Sequence, residues 1–203
     1  MFSSRNISLF LSCPNSFSVK ATVARQTIIF DLKFYRINTF TTMKKIINPW
    51  IRLENEGYNC FGCAPHNPYG LRMEFYEDGD DIVSFWTPTD NYQGWLHTLH
   101  GGIQSLLIDE IAGWLVARKL QTSGMTTHLD VKFKKSIPTG SDITLEIRAH
   151  LTEIKHNFAF IAAQISCNGQ VCTQGELTYF CFSKEKAQSE FHFTHCPTID
   201  EIE

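Results

Sequence analysis

The segment Gly102–Leu120, GIQSLLIDEIAGWLVARKL, constrains the possible folds more than any other stretch of the chain. At helical spacing its apolar residues cover nearly the whole circumference, whereas an ordinary surface helix carries one apolar stripe and one charged face. Such a helix must be enclosed by other structure. It nevertheless carries two adjacent acids, Asp109 and Glu110, halfway along. An ionised carboxylate in such surroundings costs several kcal/mol unless it is paired or used. The helix is preceded by Leu99-His100-Gly101-Gly102, a glycine-rich turn that leaves its first backbone N–H groups open to approach.

The flanking sequence supplies the cover. Leu71–Glu77 and Asp81–Thr87 are rich in β-formers and are separated by Asp78-Gly79-Asp80, a hairpin signal. After the helix, Leu129, Val131, Phe133 and Ile137 alternate with polar residues within 127–137. Ile143, Leu145, Ile147, Ala149 and Leu151 do the same within 142–153. Segment 157–167 is apolar on both faces, as in a central strand. Asn168-Gly169 turns into a last strand at 171–182, where Gly175 suggests a bulge. A short helix is expected around Trp50–Glu56, stopped by Gly57. The order β-β-α-β-β-β-β, with about six antiparallel strands and one long helix, predicts an α+β hotdog fold in which a curved sheet wraps the helix.

Charge and composition bound the rest. A net charge of −3 is too mild to point to nucleic acid or an anionic membrane, and no apolar run reaches the ~18–20 residues of a membrane span. Seven cysteines without a regular framework read as reduced thiols, hence a cytoplasmic protein. Residues 1–42 are Ser/Thr-rich and carry Arg5, Lys20, Arg25, Lys33 and Arg36 against Asp31 alone. This extension reads either as an organellar presequence or as sequence upstream of a start at Met43. Met43-Lys44-Lys45, running straight into domain-like sequence, favours the latter. The expected domain is therefore 43–183, followed by a polar tail at 184–203.

His100-Gly101-Gly102, with Asp109 nine residues after the histidine, resembles the hotdog acyl-CoA thioesterases, specifically the PaaI-like (phenylacetyl-CoA-type) branch. Cys60-Phe61-Gly62-Cys63, Asn67-Pro68-Tyr69-Gly70-Leu71, Gln93-Gly94-Trp95 and Ile137-Pro138-Thr139-Gly140 resemble it too. The likeness covers about residues 57–183. It implies hydrolysis of an acyl-CoA to free acid and CoA, with no cofactor. The Gly101 N–H, assisted by Gly102, would polarise the carbonyl, and Asp109 would act as general base or nucleophile. It also implies a homodimer or dimer of dimers, with Gly101 of one chain facing Asp109 of the other.

The helical wheel separates the two acids. Asp109 shares its face with Gly102, Ser105, Ala112, Gly113 and Val116, most of them small, which leaves room for substrate. Glu110 lies 100° away, suited to a salt bridge with Arg or Lys. His100 is a further catalytic candidate, expected to position the turn, with direct substrate contact or proton transfer as the alternative. Where some relatives carry Thr or Ser one turn after the acid, this chain has Gly113, so the water must be held by other residues. Ser105 or a residue of the partner subunit is the candidate, with Asn91 and Gln93 in the preceding loop as further contributors. Lys134 and Lys135, on a basic strand face, are candidates for the nucleotide phosphates. Cys60-x-x-Cys63-x-x-His66 offers a single Cys pair where structural zinc normally uses four ligands, and Cys196 and His195 are poor complements. The expectation is a tight turn without metal. Two other functions share this outline. A hotdog dehydratase or hydratase would need His-Phe-Pro or Asp-x-Asn-Pro motifs absent here, and a non-enzymatic acyl-CoA-binding module would need no reactive acid.

Overall fold

A computed structural model describes residues 43–202, so the extension read at 1–42 lies outside the described residues. The elements run β1 (Lys44–Lys45), β2 (Tyr76–Asp78), β3 (Asp81–Trp86), β4 (Gln93–Trp95), β5 (Thr98–Leu99) and α1 (Gly101–Leu115). They continue with β6 (Gly124–Phe133), β7 (Leu145–Lys155), β8 (Phe158–Cys167), β9 (Gln170–Cys181) and α2 (Lys184–Phe191). The expected early helix is a 3-10 turn, Ile51–Glu56, ended by Gly57 at φ +98°. Seven strands make one antiparallel sheet in the order β1-β2-β3-β7-β8-β9-β6, and β4 pairs with β5 separately. The strand beyond the expected six is the two-residue β1. The first expected strand shrinks to β2 because Leu71 and Met73 bond instead to Phe61 O and Gly62 O of the cysteine loop.

Helix α1 packs against β3, β6, β7, β8 and β9. Five strands at about 4.8 Å spacing span roughly twice the width of a helix, so contact with all of them requires the sheet to curve. Leu107, Ile108, Ile111 and Leu115 of α1 are fully buried, and so are Ile82, Ile147 and Ile165 of the sheet. Each such side chain contributes about 1.5–3 kcal/mol by leaving water. The alternation expected in β7 holds, with Leu145, Ile147 and Ala149 buried. Gly175 forms no bulge, since its pairing with Val131 and Ala163 is in register. Its role is close approach: a Cβ there would lie 2.4 Å from Ile108 Cγ2.

The stretch read as a polar tail folds back onto the domain. Ser183 caps α2 through the Lys186 N–H, Trp50 Nε1 donates to Phe191 O at 2.8 Å, and Phe193, Cys196 and Thr198 are buried. After α1 the chain makes one π-helical turn, Val116–Leu120. It aims Arg118 at Glu77 (2.7 Å), at Glu201 (2.8 Å) and at the Cys196 carbonyl (3.0 Å). The apolar residues behind this docking are single and widely spaced (Ala187, Phe193, Cys196), so they set up no period to read.

Two outcomes follow from these contacts. Gly175→Ala should lower the unfolding free energy by about 1–3 kcal/mol through overpacking against Ile108, read from the denaturant midpoint. An unchanged midpoint would mean that helix and sheet are not in contact there. The second concerns acid. Arg118 holds Glu201 down to about 2. Burial opposes ionisation of Glu77, but Arg118 and Lys119 outweigh it and lower its pKa. Depressed carboxylates stabilise the fold above their ordinary range, and that stability is lost as pH falls toward 2. Amide protection factors in 184–202 should therefore fall below about pH 4.5, and less so in Glu201→Gln, whose protection is lower already at neutral pH.

Candidate active site

At the start of α1 the backbone donors can be accounted for one by one. The first four N–H groups of a helix have no partner within it. Here the Ile103 and Gln104 N–H groups both go to His100 O at 3.1 Å. The Gly102 N–H donates to the His100 imidazole Nδ1 at 2.8 Å, making His100 the helix N-cap. The Gly101 N–H alone has no acceptor among the described residues, and it sits at the positive end of the helix dipole. The turn is held on both sides, with Leu99 N bonded to Ile137 O and Gln104 Nε2 to Leu99 O. Gln104 Oε1 in turn accepts from the Thr173 hydroxyl. The supporting role expected of the Gly102 N–H conflicts with this geometry, because His100 already occupies it.

Asp109 lies two turns on. Its Oδ1 accepts from Thr126 Oγ1 at 2.6 Å and from the Tyr179 hydroxyl at 3.2 Å. That hydroxyl also lies 2.9 Å from the Asp109 carbonyl. Oδ2 has no partner among the described residues. Thr126 and Tyr179 are directly paired across β6 and β9, so one rung of the sheet grips one oxygen and leaves the other free. Gly113 explains the Tyr179 position, since a Cβ at residue 113 would stand 3.2 Å from the phenol oxygen. Burial, then the Asp109 charge, pushes the Tyr179 pKa up and keeps the phenol a donor.

Among the described residues Glu110 meets no Arg or Lys, in contrast to the salt bridge expected for it. Trp114 Nε1 donates to it at 3.1 Å, and Cys60 Sγ lies 3.7 and 3.8 Å from its two oxygens. Burial raises its pKa. Both acids open onto a cavity of about 390 Å³ with Trp50, Tyr58, Cys60, Cys63, Trp114 and Phe191 among its walls. This is a size and character typical of small-molecule sites.

The other candidates are dispersed. The Ser105 hydroxyl donates to Gly101 O at 3.1 Å, back along its own helix. Gln93 Oε1 accepts from His97 N, and Asn91 is exposed in the loop before β4. Neither Ser105 nor the loop pair bonds to Asp109. Lys134 and Lys135 are exposed just beyond Phe133, whose ring lies 3.5 Å from a Cβ built on Gly101, so they border the glycine turn. Thr126 and Tyr179 escaped the sequence reading because they reach Asp109 from strands far apart in the chain. The one available signal was Gly113, a missing side chain beside a candidate acid.

Residues 96–173 match the model of a family described as the thioesterase superfamily. Among solved structures the chain is similar to a thioesterase superfamily protein, at 24% identity over 60% of this chain and 59% of that one, TM-score 0.56. It is similar to a hypothetical thioesterase from Streptococcus pneumoniae TIGR4 with coenzyme A, at 18% identity over 55% and 90%, TM-score 0.51. It also resembles zebra fish thioesterase superfamily member 2, at 18% over 57% and 89%, TM-score 0.50. The fold is the hotdog fold of thioesterases. The match spans 59% of the length of the first of these structures. No curated protein matches the sequence.

The cap makes a direct prediction. His100→Ala leaves the Gly102 N–H without its acceptor and should cost about 1 kcal/mol of stability, measured by denaturant unfolding. Wild-type stability in that variant would mean that the imidazole does not hold the turn.

Proposed function

We propose that the chain is an acyl-CoA thioesterase of the PaaI-like branch, hydrolysing a thioester to free acid and CoA at a site completed by a second copy of itself. The observation that carries this reading is the pairing of one unclaimed backbone N–H, at Gly101, with one unclaimed carboxylate oxygen, at Asp109, on a single rigid helix. Eight residues at 1.5 Å each separate them by about 12 Å. One thioester carbonyl cannot lie within hydrogen-bond reach of the first while being attacked from the second. Two helices in opposite orientation bring unlike ends together. Strand β6, ten residues long, is the outer strand of the sheet, with Met125 and Phe133 exposed on it. A free edge of that length is a template for pairing with another copy.

In this site the Gly101 N–H, at the positive helix end, takes the carbonyl oxygen and stabilises the charge that develops on it as the tetrahedral intermediate forms. Asp109 Oδ2 either removes a proton from the attacking water or attacks directly, giving an anhydride that water then opens. Electrons return from the oxyanion to expel CoA thiolate, which takes up a proton. Thr126 and Tyr179 fix the carboxylate, and Tyr179 also forms part of the cavity wall. The aromatic cavity receives the acyl group. Lys134 and Lys135 offer charge to the nucleotide phosphates. The coenzyme A in the Streptococcus pneumoniae structure supports this choice of leaving group. Among the described residues no helix is long and apolar enough to cross a membrane, and the cysteines there are free thiols. A cytoplasmic location is part of this proposal.

Thiol release from a panel of acyl-CoAs tests the proposal. Asp109→Asn should reduce kcat about 10²–10⁴-fold. Gly101→Pro should reduce it about 10²–10³-fold without unfolding the helix. Proline is well tolerated at the first helical position, and His100, at φ −62° and ψ 136°, already has the backbone that precedes proline. Cleavage of no acyl-CoA, or a wild-type rate in Asp109→Asn, contradicts the reading. Tight CoA binding without turnover would point to a binding module.

A further inference from the structure

We propose that Cys60, Cys63 and Glu110 form a site for a thiophilic divalent cation, zinc foremost, in the wall of the cavity beside Asp109. The three donor atoms lie within 4.8 Å of one another. Cys60 Sγ is 3.7 and 3.8 Å from the two Glu110 oxygens. In a tetrahedral zinc site, with Zn–S about 2.3 Å and Zn–O about 2.1 Å, the sulfur–oxygen edge is about 3.6 Å. Cys60 and Glu110 therefore already stand close to the spacing a zinc ion would impose, with Cys63 within 4.8 Å of both.

The surroundings favour a cation over a chance cluster. Glu110 is a carboxylate on an enclosed helix, and no Lys or Arg bonds to it among the described residues. Carboxylates so placed are normally paired. Two thiols with a carboxylate form a donor set that suits zinc rather than magnesium or calcium. The loop is shaped to admit the carboxylate. A Cβ on Gly62 would fall 2.2 Å from Glu110 Oε2, so only glycine between the two cysteines lets the acid reach them. His66, the third ligand that the sequence spacing offers, is engaged elsewhere, with Nε2 at 2.7 Å from Tyr58 O. The third ligand comes from α1 instead.

Binding converts both thiols to thiolates and releases two protons per ion. With the Glu110 carboxylate this supplies three ligands and leaves the fourth position to a water. All three residues line the same cavity as Asp109, so that position faces the space in which the acyl group is proposed to sit. The site itself does not depend on the hydrolase reading.

The test uses the reduced full-length chain, stripped with chelator and titrated with Co²⁺ as the probe. The expected result is one equivalent bound, with sulfur-to-cobalt charge-transfer absorption and the ligand-field bands of a four-coordinate ion, both erased by added Zn²⁺. Cys60→Ser and Cys63→Ser should remove the charge-transfer band or weaken affinity more than tenfold. Glu110→Gln, which leaves both thiols in place, should weaken affinity about tenfold or more, and it carries the test if a cysteine variant does not fold. Asp109→Asn should bind Co²⁺ like wild type even though it no longer hydrolyses thioesters, which separates this proposal from the preceding one. The proposal is overturned by the absence of charge-transfer absorption, by affinity unchanged in all three ligand variants, or by Cys60 and Cys63 being found joined as a disulfide in the freshly isolated protein.

Discussion

The structure depends on the enclosure of one apolar helix by a sheet of longer reach than the helix is wide. Ile108 lies against the bare backbone of Gly175, where a Cβ would stand 2.4 Å from its Cγ2. From it follow the curvature of the sheet and the rigidity of α1. The inward direction of Thr126 and Tyr179 follows too, since both sit on strands pressed against the helix. Because the helix cannot bend or slide, its first N–H and its mid-point acid keep a fixed separation. Chemistry that needs both must therefore come from two helices rather than from a flexing one.

The two neighbouring acids show how far environment outweighs residue type. Asp109 faces a threonine and a tyrosine that give hydrogen bonds to one oxygen and leave the other free. Glu110, one residue on, faces an indole N–H and two thiols in a turn built around a glycine. One position is suited to act on a substrate and the other to be completed by a cation. Neither is the ion pair that would be the ordinary resting state of a buried carboxylate.

Much of this was legible in the chain. The helix announces its burial by having no polar face. β7 is visible as strict alternation, and Asn168-Gly169 shows the last hairpin, both residues having positive φ. Gly101 and Asp109 stand out only through the resemblance carried by His100-Gly101-Gly102 and the acid nine residues after the histidine. What stayed hidden depends on side chains meeting across long sequence distances. No period marks Thr126 or Tyr179 as partners of a helical acid. The Cys60–Cys63 turn has His66 as its sequence neighbour, whereas the fold brings Glu110 of α1 beside it. A bare position such as Gly175 has several uses in a strand, a bulge among them, and only the opposing Ile108 decides between them. The C-terminal stretch reads as a polar tail because its docking rests on isolated apolar residues and on Arg118, which no pattern displays.

The central claim is that the Gly101 N–H of one copy and the Asp109 carboxylate of another serve one thioester. It is tested most directly by co-expressing two separately tagged forms, Asp109→Asn and Gly101→Pro, each nearly inactive alone, and isolating the mixed assembly. If the site is shared, each mixed dimer regains one intact site of its two, and thioester cleavage returns to about half of the wild-type rate per dimer. Mixed dimers as inactive as either parent would contradict the account, because that result places both groups of each site in a single chain.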